Sequence, residues 1–399
     1  MELVLSLGRT PLANALPTEA HLTQAEPTYP LEVAFCPACT LLQLTQIVHP
    51  EHLFRDYLYF SSFSETMLRH VERLANRLVD ERSLNRNSLV LEIASNDGYL
   101  LQYYKSAGIP VLGIEPAANI AKIAIEKKHI PTWTEFFDDQ LGQRLRMEGR
   151  LADVIHANNV LAHVPNLNGF VAGLRLAVKD QGLIVVEAPY AKDMIDHGEF
   201  DTIYHEHVFY FTLTALDRLF RKHDLLIHDV ERMPIHGGSL RLFASAMSVN
   251  PNIQPSIKTQ RLLEDEQSWG VADIGFYRQF GQRVEALKGS LRHLLSDLKQ
   301  AGKRIAAYGA AAKGSTLLNY MGIGRETLDF VVDRSTYKQG RYMPGVHVPI
   351  LPPEQLLEKQ PDFVLLLTWN FADEIIQQQS EYRRRGGRFI VPIPHLRVA

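Results

Sequence analysis

Cysteine is nearly missing from this chain: two of 399 residues, too few for a disulfide framework. The single pair, Cys36-Pro37-Ala38-Cys39, supplies only half of the four ligands that a closed tetrahedral zinc site takes. His21, His49 and His52 make no recognisable second arm, so the pair reads as a partial metal motif, with two reduced, packed thiols as the plainer alternative. The C-x-x-C also does not open a helix in a thioredoxin-like unit. Charge of one sign is missing as well. The 42 basic and 45 acidic residues leave a net −3, which provides neither the basic footprint of a nucleic-acid binder nor a polybasic patch for lipid. No apolar run approaches the roughly 18 residues of a membrane span. The opening Met-Glu-Leu-Val-Leu-Ser-Leu-Gly lacks the basic flank and long apolar stretch of a signal peptide. No period of about 20 to 50 residues repeats along the chain, which excludes a solenoid. A cytoplasmic protein with a small-molecule partner, no nucleic acid and no membrane is expected.

What is present is ordinary globular composition, 46% hydrophobic and 22% charged, and enough length for two to three domains at about 150 residues each. Residues 1 to about 60 are rich in Pro and Thr, with short apolar pieces at Leu31 to Phe35 and Leu41 to Leu44 that look like small strands. From Ser64 the spacing Met67, Val71, Leu74, Leu78 predicts a helix. A strand at Leu89 to Ile93 then stops at Ser95-Asn96-Asp97-Gly98, and a helix opens at Tyr99. Further apolar strands follow at Val111 to Glu115, Ala152 to Ala157 and Gly182 to Glu187, with helices at Ala117 to Lys127 and Leu167 to Val178 between them. This alternation predicts a doubly wound α/β domain with its ligand at the carboxyl ends of the strands. After a linker near Asn250 to Pro255, Ile257 to Ala301 reads as one long helix. A second α/β series follows at Arg304 to Gly309, Leu328 to Asp333, Phe363 to Leu367 and Arg388 to Pro392.

Two places carry chemistry. The turn Glu92-Ile93-Ala94-Ser95-Asn96-Asp97-Gly98 brings polar groups and a close backbone to the end of the first strand, and Glu115 ends the second strand about 20 residues on, where a carboxylate accepts ribose hydroxyls. Without a full G-x-G-x-x-G or a pyrophosphate loop, the pattern favours a mononucleoside such as S-adenosylmethionine over NAD. Asn158 and Asn159, after the Ala152 strand, could bond the donor's amino-acid part or adenine edge, and His163 could reach the reacting centre, although a lone histidine is more often a structural hydrogen-bonder. The second place is Tyr204-His205-Glu206-His207. On an extended segment Tyr204 and Glu206 share one side and the two histidines the other, unless a turn gathers them. Proton transfer near neutral pH is one reading; a zinc site or a hydrogen-bonded surface turn is the other.

These motifs together resemble the sugar-nucleotide C-methyltransferases that place a branch methyl on deoxysugars. The resemblance runs over nearly the whole chain and rests on Ser6-Leu7-Gly8 with Pro11-Leu12-Ala13-Asn14, Tyr57-x-Tyr59-Phe60-Ser61-Ser62, Glu92 to Gly98, Gly113-Ile114-Glu115-Pro116, Tyr204 to His207, His236-Gly237-Gly238-Ser239-Leu240-Arg241, and Gly309 to Gly314. It implies a small irregular module at 1–62, left over from a zinc-binding domain. A class I methyltransferase domain of Rossmann-like fold at 63–250 and a second Rossmann-like domain with a leading helix at 251–399 would follow. In that family two cysteine pairs hold the zinc; only Cys36 and Cys39 stand here, which leaves zinc doubtful.

The resemblance also implies a mechanism. A 4-keto sugar loses the neighbouring C3 proton to give a resonance-stabilised enolate, and a histidine suits that transfer. His207 is the expected base, with Glu206 fixing its tautomer or binding a sugar hydroxyl. Tyr204 or His163 would hydrogen-bond the developing oxygen anion. Glu92, Ser95, Asn96, Asp97, Gly98, Glu115, Pro116, Asn158 and Asn159 would hold S-adenosylmethionine. Tyr59, Tyr57, His236 and Arg241 would meet the sugar nucleotide. Lys313, in a strand-to-helix turn suited to phosphate, would do so with Arg341. The competing readings are a methyltransferase acting on oxygen or nitrogen of a sugar or small metabolite, and a non-catalytic sugar-nucleotide-binding protein.

Overall fold

The computed structural model describes residues 1–54, 60–249 and 252–399. The chain forms two compact units, both discontinuous: residues 1–47, 191–207 and 272–399 in one, 48–190 and 208–271 in the other. The first begins with an antiparallel sheet of β1 (Glu2–Thr10), β2 (Tyr29–Phe35) and β3 (Leu42–Leu44). β1 was not anticipated, although its buried Leu5 and Leu7 alternate with polar neighbours at the strand period.

The second unit holds a seven-stranded sheet. Its strands are β4 (Val90–Ile93), β5 (Val111–Ile114), β6 (Thr132–Trp133), β7 (Ala152–Asn158), β8 (Val178–Pro189), β10 (Leu225–Met233) and β11 (Ser239–Ala246), with the short β9 (Phe209–Tyr210) outside it. The order is β10-β11-β8-β7-β4-β5-β6. β4 through β8 pair in parallel, and β8, β11 and β10 pair antiparallel. The parallel strands are buried on both faces, which is why they read as continuous apolar runs. Helix Glu65–Glu81 packs Met67, Val71, Leu74 and Leu78 onto this sheet, beside Val90, Tyr104 and Val154, and its N-terminus is capped by Ser64, whose side chain accepts from the Met67 amide.

The long helix expected from Ile257 to Ala301 is two helices, Ile257–Trp269 and Ile274–Gln300. Gly270 ends the first in the left-handed conformation at φ +77°. Asp273 caps the second by accepting from the Gly275 amide. Helix Ile257–Trp269 groups with the second unit. There the fully buried Glu266 accepts from the Tyr190 hydroxyl and the Leu213 and Thr214 amides.

The first unit's other sheet is β12 (Ile305–Tyr308), β13 (Val331–Val332), β14 (Ile350–Leu351), β15 (Phe363–Leu366), β16 (Arg388–Val391) and β17 (Arg397–Val398), in the order β14-β13-β12-β15-β16-β17. All pair in parallel except β17. Both α/β folds therefore present strand carboxyl ends, where such sheets bind ligands. Among the described residues no helix is long and apolar enough to cross a membrane.

Candidate active site

In the second unit, the turn after β4 is built to leave polar groups without partners. Ala94 and Asn96 adopt φ +55° and +49°, and Gly98 follows at +76°. A side chain at Gly98 would lie 2.4 Å from Ile130 Cδ1. Ser61 and Ser62 brace the turn: the Ser61 amide donates to Asn96 Oδ1 at 3.0 Å and the Ser62 hydroxyl to Asp97 Oδ2. Lys128 stands 3.6 Å from the same Asp97 oxygen. Glu115, leading into Pro116 after β5, accepts from the Asn96 and Ala117 amides at 2.9 Å each. A carboxylate can take about four hydrogen bonds, so these two orient it without exhausting it. Burial raises the pKa of Glu115, and that of the fully buried Glu92 rises well above the usual carboxylate range through burial and the charges of Asp97 and Glu115.

Asn158 ends β7, and Asn159 follows in the left-handed region at φ +54° with its amide on the Glu187 carbonyl. His163 lies half-buried in the next turn. Ser95 Oγ, Asp97 Oδ1 and both polar atoms of the Asn158 side chain are buried without a hydrogen-bond partner. Buried polar groups are ordinarily paired, so their concentration at the ends of β4 and β7 marks a ligand site. The set fits S-adenosylmethionine: a carboxylate at the ribose position of β5 and amide and hydroxyl groups beside β4.

The first unit carries the residues expected to transfer a proton. The chain from Glu199 to His207 is one 3₁₀ turn, Phe200–Thr202, followed by a tight turn in which the His207 amide donates to the Tyr204 carbonyl at 2.8 Å. The turn gathers Tyr204 and His207: the hydroxyl is 2.9 Å from Nε2, and the ring centroids are 4.1 Å apart. His207 Nδ1 is 2.8 Å from the Thr202 carbonyl. A carbonyl can only accept, so Nδ1 carries the proton and Nε2 is the basic nitrogen, to which Tyr204 donates. The Thr202 carbonyl thus does what was expected of Glu206 in fixing the tautomer. Glu206 instead accepts from Asn14 Nδ2 at 2.6 Å, and burial pushes its pKa up to about 7 against the pull of Asn14 and Lys338. His205 turns away, to the Pro30 carbonyl at 3.2 Å, and burial lowers its pKa.

Upstream, the fully buried Asp201 accepts from Trp369 Nε1 at 2.7 Å, and burial raises it to about 6 despite the charge of Lys313. Burial also raises Glu199. Lys313 Nζ sits 4.6 Å from the Trp369 ring centroid and 3.4 Å from Asn370 Oδ1. The turn it follows is tight because Gly309, at φ +96°, leaves no room beside Thr368. Lys338 donates to the Ala310 carbonyl at 2.7 Å, and Arg341 to the Leu16 carbonyl at 3.2 Å. Asn14, Asp201 and Trp369 were not expected here. Asn14 falls inside a run the sequence had already singled out, and Asp201 three residues before another, but their partners are distant in the chain.

Arg241, expected at the sugar nucleotide, lies buried in the second unit, with Nε on Glu187 at 2.6 Å and Nη1 on Glu231 at 2.9 Å. His70 completes the cluster at 3.0 Å from Glu187. Burial alone would raise Glu187, yet His70 and Arg241 hold it at about 2. Tyr57, Tyr59 and the side chain of His236 lie outside the described residues. Cys36 and Cys39 are free thiols. Among the described residues no three His, Cys, Asp or Glu side chains are placed to hold a metal ion. Two thiols do not fit a closed zinc site.

Domain models match most of the chain: a C-methyltransferase C-terminal domain at residues 234–394, a methyltransferase domain at 67–230, and a supposed zinc binding domain at 1–54. C-methyltransferase NovU of Streptomyces niveus is 36% identical over 395 residues, covering 99% of this chain and 93% of that protein. Among solved structures, the magnesium protoporphyrin IX methyltransferase of Synechocystis with bound S-adenosylmethionine is 14% identical, covers 44% of this chain and 78% of its own, and has a TM-score of 0.34. An S-adenosylmethionine-dependent methyltransferase of Clostridium acetobutylicum is 7% identical, covers 45% and 92%, and has a TM-score of 0.36. With a full-length relative at that identity and matching domain models, the chain belongs to the C-methyltransferase family and is an S-adenosylmethionine-dependent methyltransferase.

Proposed function

We propose that the methyl acceptor is C3 of a nucleotide-linked 4-keto-deoxyhexose, made nucleophilic as an enolate by His207. The observation that carries this reading is the Tyr204–His207 pair, with the Thr202 carbonyl holding the proton on Nδ1 and leaving Nε2 as the base. Carbon methylation needs a carbon acid, and an α-proton of a ketone is within reach of an imidazole acting beside a hydrogen-bond donor. Tyr204 covers Nε2; when its O–H turns onto the C4 oxygen, it stabilises the developing anion and uncovers the nitrogen that takes the C3 proton. S-adenosylmethionine, when bound, supplies an electrophilic methyl. Holding the acceptor carbon in line with that methyl would remove much of the entropic barrier. Glu206 would bind a ring hydroxyl and Lys313 the diphosphate.

One observation favours a second assignment within the same chemistry. Glu206, raised by burial to about 7, lies near neutrality and would serve as the base in place of His207. The test is mass spectrometry of the full chain with S-adenosylmethionine and a dTDP-4-keto-dideoxyhexose in D₂O. A gain of one methyl, preceded by deuterium at C3, is expected. His207→Asn should abolish the exchange while Glu206→Gln slows it; the reverse ranking would move the base to Glu206, and methylation without exchange would sink the enolate reading.

A further inference from the structure

We propose that Asn14 is a positioning residue for the reaction, its side-chain amide holding the Glu206 carboxyl group in register with the bound sugar. This rests on the reading of Glu206 given above. Asn14 lies in a loop after β1, is itself exposed, and reaches Glu206 across 192 residues of chain at 2.6 Å. Glu206 is 5% exposed, so the bond aims a surface amide at a buried acid.

Both partners of this bond are held from one helix, Ala312–Met321. The Ser315 hydroxyl donates to the Ala13 carbonyl at 2.8 Å, next to Asn14, and the Thr316 hydroxyl to the Ile203 carbonyl at 3.2 Å, three residues before Glu206. The far side of the loop is tied by Arg341 on the Leu16 carbonyl and by the Tyr342 amide on the Pro17 carbonyl at 3.0 Å. The Pro11-Leu12-Ala13-Asn14 motif and the turn that leads into this helix thereby acquire one shared purpose. The helix sets where the loop runs, the loop sets Asn14, and Asn14 sets Glu206. Loops held at both ends in this way are how a scaffold places a polar group to within a fraction of an ångström.

Because Asn14 is exposed, its replacement should leave the fold intact. The experiment is a kinetic double-mutant cycle on the full chain with Asn14→Ala, Glu206→Gln and the pair, together with the isosteric Asn14→Asp. Asn14→Ala should lower kcat/KM by about 10- to 100-fold, mostly through kcat, the range that one charged hydrogen bond or an ångström of misplacement is worth. In the Glu206→Gln background the same change should cost less than about twofold, since the two residues act as one. S-adenosylmethionine affinity and the unfolding midpoint should not move. Asn14→Asp keeps the shape but loses the donor, so it should be at least as damaging as Asn14→Ala. Equal fold losses in both backgrounds, or a full-rate Asn14→Asp enzyme, would overturn the proposal while leaving Glu206 in the site. A full-rate Glu206→Gln enzyme would remove the reading of Glu206 itself and the proposal with it.

Discussion

Glu206→Gln should stabilise the folded protein at neutral and alkaline pH, even as it impairs turnover. Burial holds the Glu206 carboxyl at about 7 against an ordinary value of 4.5. Below the lower value the group is protonated in both the folded and unfolded chain and contributes nothing. Between the two, the unfolded chain releases its proton and the folded chain keeps it, so stability falls as pH rises; above the higher value the cost is complete. A gap from 4.5 to about 7, at about 1.4 kcal/mol per tenfold change, amounts to about 3 kcal/mol at pH 8. Glutamine does not ionise, and its oxygen can still accept from Asn14. Its two new N–H donors would cost about 1–3 kcal/mol if unmatched, but by the same amount at every pH. The assay is urea unfolding at pH 5 and pH 8, followed by Trp369 fluorescence in a Trp133→Phe, Trp269→Phe background so that the signal reports the unit holding Glu206. Asp201, which Trp369 contacts and which titrates near 6, affects both proteins and cancels in the difference. The stability difference between variant and parent should grow by about 2–3 kcal/mol from pH 5 to pH 8. A difference that does not change with pH would refute the reasoning.

Gly113→Ala would place a Cβ 2.4 Å from Ser95 Oγ and 3.0 Å from Thr132 Oγ1. Displacing the β4 turn should weaken S-adenosylmethionine binding by about tenfold or more, read by calorimetry. Glu115→Ala removes the acceptor shared by the Asn96 and Ala117 amides and should cost about 10- to 100-fold in the same titration, with Glu115→Gln losing less; an unchanged affinity would place the donor elsewhere. Arg241→Met leaves the Glu187 charge buried beside His70 alone, and should destabilise the second unit by about 3–5 kcal/mol, seen as a lowered unfolding midpoint. Adding Glu187→Gln should restore much of that loss. A substrate-binding role for Arg241 would instead raise KM without touching stability.

Much of the fold was legible because the parallel strands around β4 and β12 are apolar on both faces and the helices between them keep their spacing. What was not legible was local or distant. The break at Gly270 needs only one residue in the left-handed region, which helical periodicity does not register. The Tyr204–His207 contact needs a turn, and the residue types there suit an extended segment equally well. Asn14 and Glu206 are 192 positions apart, so only the folded chain brings them together. The ion pairs of Arg241 were not legible because a basic residue in a substrate-like motif can equally neutralise a buried acid, and burial is not visible in its identity.

The same physics explains why the site lies where the pattern breaks. Glu199, Asp201 and Glu206 fall within eight residues of chain, all three buried and all three raised by that burial. Each works against folding at neutral pH, so together they mark a stretch whose sequence is not explained by stability. An enolate needs a dry site, since water weakens every hydrogen bond to the developing charge, and a dry site that moves protons must contain acids and bases whose ionisation is difficult. Burial that only served the core would have replaced these acids with apolar side chains, at no loss of packing. Their presence in the same turn as Tyr204 and His207 is what the proposed proton transfer would require, and the alkaline loss of stability ascribed to Glu206 would be its measurable trace.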